Sequence, residues 1–94
     1  MNSDHVQIVG PEEYRASELA ERLLYRACRI MHRRADRFED RRRSMFEAYR
    51  SNPDGIESDS YRELQARVRE ARRIAEHLSD LAGDIFAERD GWTT

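Results

Sequence analysis

Apolar residues recur along this chain in alternating steps of four and three. One row runs Leu24, Cys28, Met31, Ala35, Phe38, Arg42, Met45, Tyr49 and is apolar except at Arg42. A second runs Tyr61, Leu64, Val68, Ala71, Ala75, Leu78, Ala82, Ile85. This spacing is the seam of helices that pack side by side with coiled-coil geometry. Gly10-Pro11-Glu12-Glu13 opens the first helix, since proline suits the first helical position and acids in the first turn complement the helix dipole. The helix is expected over about residues 11–51, because Pro53 keeps the residue before it out of the α region. Asn52-Pro53-Asp54-Gly55 is a turn signal within a connection over 52–59. Ser60 and Glu63 fit a capping box, and the second helix is expected over about 60–90, with Gly91 as its stop. Gly83 lies inside that helix at a cost of up to ~1 kcal/mol relative to alanine.

A short connection between two long helices makes them antiparallel neighbours. The predicted fold is therefore all-α: a two-helix hairpin over 11–91 between an N-terminal tail (1–10) and a C-terminal tail (92–94). The register places Leu24 near Ile85 and Phe38 near Ala71. Val6 to Val9 is a short apolar run that reads as an edge strand or an ordered extension.

A seam is enough to hold two helices together, yet the chain carries more. Ala16, Ala20, Leu23, Ala27 and Ile30 form a second row beside the first, and Ile74, Leu81 and Phe86 add to the other helix. This surplus needs a further surface, and oligomerisation is the usual answer for small domains. The expected partner is a second copy, giving a four-helix bundle with Leu23, Ala27, Ile30, Ile74 and Leu81 at the dimer interface. The competing expectation is that the N-terminal run and Trp92 cover the surplus.

Charge sharpens the picture. All seventeen basic residues are arginine, so lysine Schiff-base and P-loop chemistries are excluded. Residues 22–50 carry ten Arg against four acids, while 1–21 carry one Arg against five acids and 51–94 carry six against ten. The formal net charge of −2 thus hides a basic stretch between acidic ends. Arg22, Arg26, Arg29, Arg33, Arg37 and Arg41 recur at spacings of three and four as a basic stripe. Glu76, Asp80, Asp84 and Glu88 make an acidic one. Both suit solvated faces with local pairs such as Glu18–Arg22 and Glu39–Arg43. Alternatively, the arginine stripe is a binding site for an acidic protein or for nucleic acid. Arg42, on the seam, needs a carboxylate such as Glu63 or Glu70, or else reaches solvent.

Candidate chemistry is sparse. His32 with Asp36 and His77 with Asp80 have helical spacings compatible with metal ligation, but the two histidines do not converge on the heptad. Glu18-x-x-Glu21 matches half of a magnesium-binding pattern whose E-x-x-D half is missing, and the E-x-x-H pairs of di-iron bundles are absent. No catalytic residue, cofactor site or metal site is expected. The single cysteine, Cys28, sits on the seam as a small hydrophobe and suits a reducing, cytoplasmic setting. No apolar stretch is long enough to span a bilayer. The expected function is that of a non-enzymatic protein–protein interaction module: a small regulator, adaptor or phage-type inhibitor. The alternative is a nucleic-acid-associated protein that uses the arginine stripe.

Overall fold

The computed structural model describes residues 7–51 and 58–93. Two helices account for nearly all of them, α1 over Pro11–Ser51 and α2 over Ser58–Asp90. They pack against each other as an all-α helical hairpin. The Asn52–Gly55 turn signal and Val6 lie outside the described residues.

Local chemistry explains the helix ends. The Tyr14 amide donates to the Gly10 carbonyl at 3.1 Å, which makes Gly10 the N-cap and puts Pro11 where its missing N–H costs nothing. Glu12 and Glu13 fill the first turn of α1, and Arg50 lies in its last. At the end of α2, the Gly91 amide closes on the Glu88 carbonyl at 3.2 Å, a tightened final turn. The start of α2 differs from expectation. The helix begins at Ser58, two residues before the expected start, and the Glu63 carboxylate accepts a hydrogen bond from Arg67 at 2.6 Å.

The chain divides into two compact units. A terminal unit comprises Met1–Cys28 and Glu76–Thr94, and a central unit comprises Arg29–Ala75. In the terminal unit, Val9, Cys28 and Ala82 are buried, and Leu24, Leu78 and Ile85 are half-buried. In the central unit the buried set is Ala35, Phe38, Val68, Ala71 and Ala75. All but Val9 are positions of the two heptad rows. Much of this core is alanine, so it rests on close backbone approach with little side-chain volume.

Tyr49 departs from the pattern. It stands on the expected seam but is exposed.

The terminal unit also holds two short strands, β1 (Gln7–Ile8) and β2 (Trp92–Thr93). They pair in parallel, Gln7 with Trp92 and Ile8 with Thr93, and the Val9 amide extends the ladder to the Thr93 carbonyl at 2.9 Å. Strands that simply continued two antiparallel helices would run antiparallel. The parallel pairing therefore requires the chain to reverse at one strand–helix junction, where Gly10 and Gly91 stand.

Candidate functional site

Six arginines of the predicted stripe, Arg22, Arg26, Arg29, Arg33, Arg37 and Arg41, are all exposed on α1. The first two belong to the terminal unit and the other four to the central unit. Of the predicted dimer-interface residues, Leu23 and Ile30 are each 54 % exposed, Ile74 37 % and Leu81 38 %, while Ala27 is half-buried. Phe86, at 56 %, joins them. Among the described residues of the terminal unit, Gln7 pairs with Trp92 and Ile8 with Thr93, and Leu23 and Leu81 remain exposed.

Arg42 finds different partners from those anticipated. Neither Glu63 nor Glu70 takes it. Its Nε donates to both carboxylate oxygens of Glu39 at 3.2 Å, its Nη2 closes on Glu39 Oε1, and its Nη1 donates to the Tyr61 hydroxyl at 2.7 Å. The reason is proximity. Glu39 sits one turn earlier on the same helix and is held with little added ordering cost, while Glu63 is engaged by Arg67. These hydrogen bonds hold the Glu39 carboxyl below the usual carboxylate range, helped by the charges of Arg42, Arg72 and Arg43 and opposed by burial. They also raise the Arg42 guanidinium above its ordinary value. Glu39 is thus paired with Arg42, where Arg43 was expected, and Glu18–Arg22 is not among the ion pairs of the described residues.

Close by in the central unit, two guanidinium groups lie over the Phe38 ring, Arg34 at 5.1 Å and Arg67 at 5.7 Å from its centroid. Such cations over an aromatic face add attraction beyond apolar contact. An open groove of about 500 Å³ runs past them, with Met31, Phe38, Ala71 and Ile74 supplying apolar lining. Phe38 and Ala71 were placed opposite each other by the heptad register, and the groove brings them together.

The terminal unit contains a polar cluster that sequence reasoning missed. Arg89 Nη2 is paired with Glu21 Oε1 on the other helix, and Nη1 reaches Ser17 Oγ at 3.3 Å. Its guanidinium also lies 5.6 Å from the Tyr14 ring centroid and 5.7 Å from that of Phe86. The hydrogen bond to Glu21 raises the Arg89 pKa, against a smaller opposing effect of burial. Trp92 packs edge-on against Tyr14, centroids 6.3 Å apart, and its buried indole N–H has no hydrogen-bond partner among the described residues. A signal did exist: the register that sets Leu24 near Ile85 also brings Glu21 within one residue of Arg89.

Among the described residues no group of three or more His, Cys, Asp or Glu is placed to hold a metal, and His32 and His77 are both exposed. No helix is long and apolar enough to cross a membrane. Cys28 is a buried free thiol. In comparisons with family models, curated proteins and solved structures, the chain finds no match.

Proposed function

We propose that this protein is a non-enzymatic interaction module, a homodimeric helical hairpin that binds another protein as a small regulator, adaptor or phage-type inhibitor. The observation that carries the reading is the set of large aliphatic side chains left in solvent, Leu23, Ile30, Ile74 and Leu81. Single exposed apolar residues need no explanation, but these repeat at seven-residue intervals on each helix, and apolar surface in sets marks a contact with another macromolecule. Leu23, Ala27, Ile30, Ile74 and Leu81 would hold the second copy, with alanine allowing close approach. The exposed stripe Arg22, Arg26, Arg29, Arg33, Arg37 and Arg41 would receive an acidic protein. A cytoplasmic setting fits Cys28 as a buried thiol.

Nucleic acid is the second reading, favoured by the exposure of all six stripe arginines. The net charge of −2 argues against it, because the acidic residues repel phosphate. Charge reversal at Arg26, Arg29 and Arg33 separates the two. A protein partner captured by the wild type should be lost by this variant, chiefly through slower association, with helicity unchanged. Nucleic acid should bind the wild type weakly at physiological salt. Tight DNA or RNA binding that falls steeply with salt, and disappears in the variant, would overturn the protein-partner reading.

A further inference from the structure

Arg67, Ile74, Leu81 and Glu88 follow one another at intervals of seven on α2. All four are exposed. Read in order, the row is basic, aliphatic, aliphatic, acidic; read backwards, it is its own complement. We infer that a second copy of this chain packs antiparallel along this row, Arg67 meeting Glu88 of the second copy and Ile74 meeting Leu81 of the second copy, with both contacts repeated by symmetry. The inference rests on the homodimer reading above and gives it an orientation.

Three observations support it. A two-fold contact uses the same patch on both subunits and must be self-complementary, and this row is. A parallel arrangement would set Arg67 on Arg67 and Glu88 on Glu88, two like-charge contacts that are destabilising across a helix interface. The units themselves are oppositely charged. The terminal unit has four Arg against ten acids, net −6, and the central unit has thirteen Arg against nine acids, net +4. Antiparallel docking brings the central unit of each copy to the terminal unit of the other, where the charges attract.

The receiving surface is already formed. Ile74 and Arg67 both line the open groove of the central unit, where Met31, Phe38 and Ala71 give apolar surface and Arg34 and Glu70 give charged edges, so Leu81 of the second copy would meet Ile74 beside that apolar surface. Arg67 currently holds Glu63 in an i,i+4 pair in which both side chains are more than half exposed; such a pair contributes little and can be exchanged. The adjacent row, Glu63, Glu70, His77 and Asp84, has acids towards both ends and is not its own complement. It therefore stays on the solvent side of the contact.

Light scattering after size exclusion tests the idea on the full chain. The wild type should elute as two copies of the 11.2 kDa chain. Arg67→Glu and Glu88→Arg should each weaken self-association about tenfold, since each turns two attractive contacts into repulsive ones. The double variant Arg67→Glu/Glu88→Arg should recover it. These positions are exposed, so circular dichroism should show unchanged helix throughout. A wild type that stays at single-chain mass would sink the homodimer reading itself. A wild-type dimer indifferent to the single variants, or singles that weaken without recovery in the double, would overturn only the antiparallel row.

Discussion

Both units carry apolar seam residues, but the terminal unit is acidic and adds an ion pair between its two helices, Arg89 with Glu21, whereas the central unit is basic and the ion pairs among its described residues stay within one helix. In the first, Arg89 ties residues 68 positions apart in sequence and gathers Glu21, Ser17, Tyr14 and Phe86 around one guanidinium. In the second, the comparable arginine, Arg42, spends its carboxylate contact on Glu39 of its own helix and reaches the other helix at Tyr61, through the hydroxyl and over the ring at 5.8 Å from its centroid. There the apolar residues Phe38, Val68, Ala71 and Ala75 carry the contact. An arginine near the seam thus ties a carboxylate of the other helix in the terminal unit and one of its own helix in the central unit. Side-chain exposure agrees: Arg89 retains 10 % and Arg42 27 %.

The largest expected effect comes from emptying the central unit. Phe38→Ala removes its largest buried side chain and should cost about 3 kcal/mol, the usual penalty for a phenylalanine-sized cavity. Trp92 is the chain's single tryptophan and belongs to the terminal unit. A loss centred on the central unit should therefore move the circular-dichroism transition in urea to lower concentration than the Trp92 emission transition. Coincident transitions would show instead that the two units unfold together.

The two arginines should then separate. Arg89→Met leaves the Glu21 carboxylate without its cross-helix partner and removes the cation from between Tyr14 and Phe86, so thermal stability should fall clearly. Arg42→Met also leaves a carboxylate, Glu39, without its partner, but the guanidinium it removes is the more exposed of the two and methionine packs at a seam position, which offsets part of the loss. Its melting temperature should lie well above that of Arg89→Met. Equal losses would erase the distinction between the units.

This contrast marks where sequence reading succeeds. The burial of Cys28, Ala35, Phe38, Val68, Ala71, Ala75 and Ala82 follows from a 3.5-residue period, because a packed seam admits apolar groups at those positions and no others. The exposure of Leu23, Ile30, Ile74 and Leu81 follows from the same count, as surplus. Polar contacts obey no period. Long arginine side chains have several carboxylates within reach, and Arg42 chose Glu39 over the anticipated Glu63 or Glu70. The β1–β2 pairing is equally hidden, since two residues on each strand carry no alternation to read. Tyr49 stands on the counted seam near the end of α1 and is nevertheless exposed.

A smaller effect is expected from Gly83 in the terminal unit. It lies within α2, and a Cβ built there meets nothing within 4 Å. Gly83→Ala should therefore gain helix propensity without strain, stabilising the protein by roughly 0.5–1 kcal/mol. Thermal denaturation followed by circular dichroism would measure it. A decrease in stability would mean that the position is covered in the working assembly, as it would be if another chain approached α2 on that side.

The smallest expected effect is a response to acid in the central unit. The Glu39 carboxyl is held below its usual range, first by its hydrogen bonds with Arg42. A depressed carboxylate pKa contributes stability above the ordinary value of about 4.3, and that contribution is lost as the pH falls through the lower, folded value. Arg89 behaves oppositely. Its pKa is raised above an ordinary value that is already strongly basic, so its charge is constant between pH 3 and 7. Melting temperatures of the wild type and Glu39→Gln should accordingly differ most at pH 7 and converge towards pH 3, since glutamine neither gains nor loses a proton. The effect is modest because the pair is partly solvated and joins residues of one helix. A difference that stayed constant from pH 7 to pH 3 would show that Glu39 contributes through packing and not through its charge on Arg42.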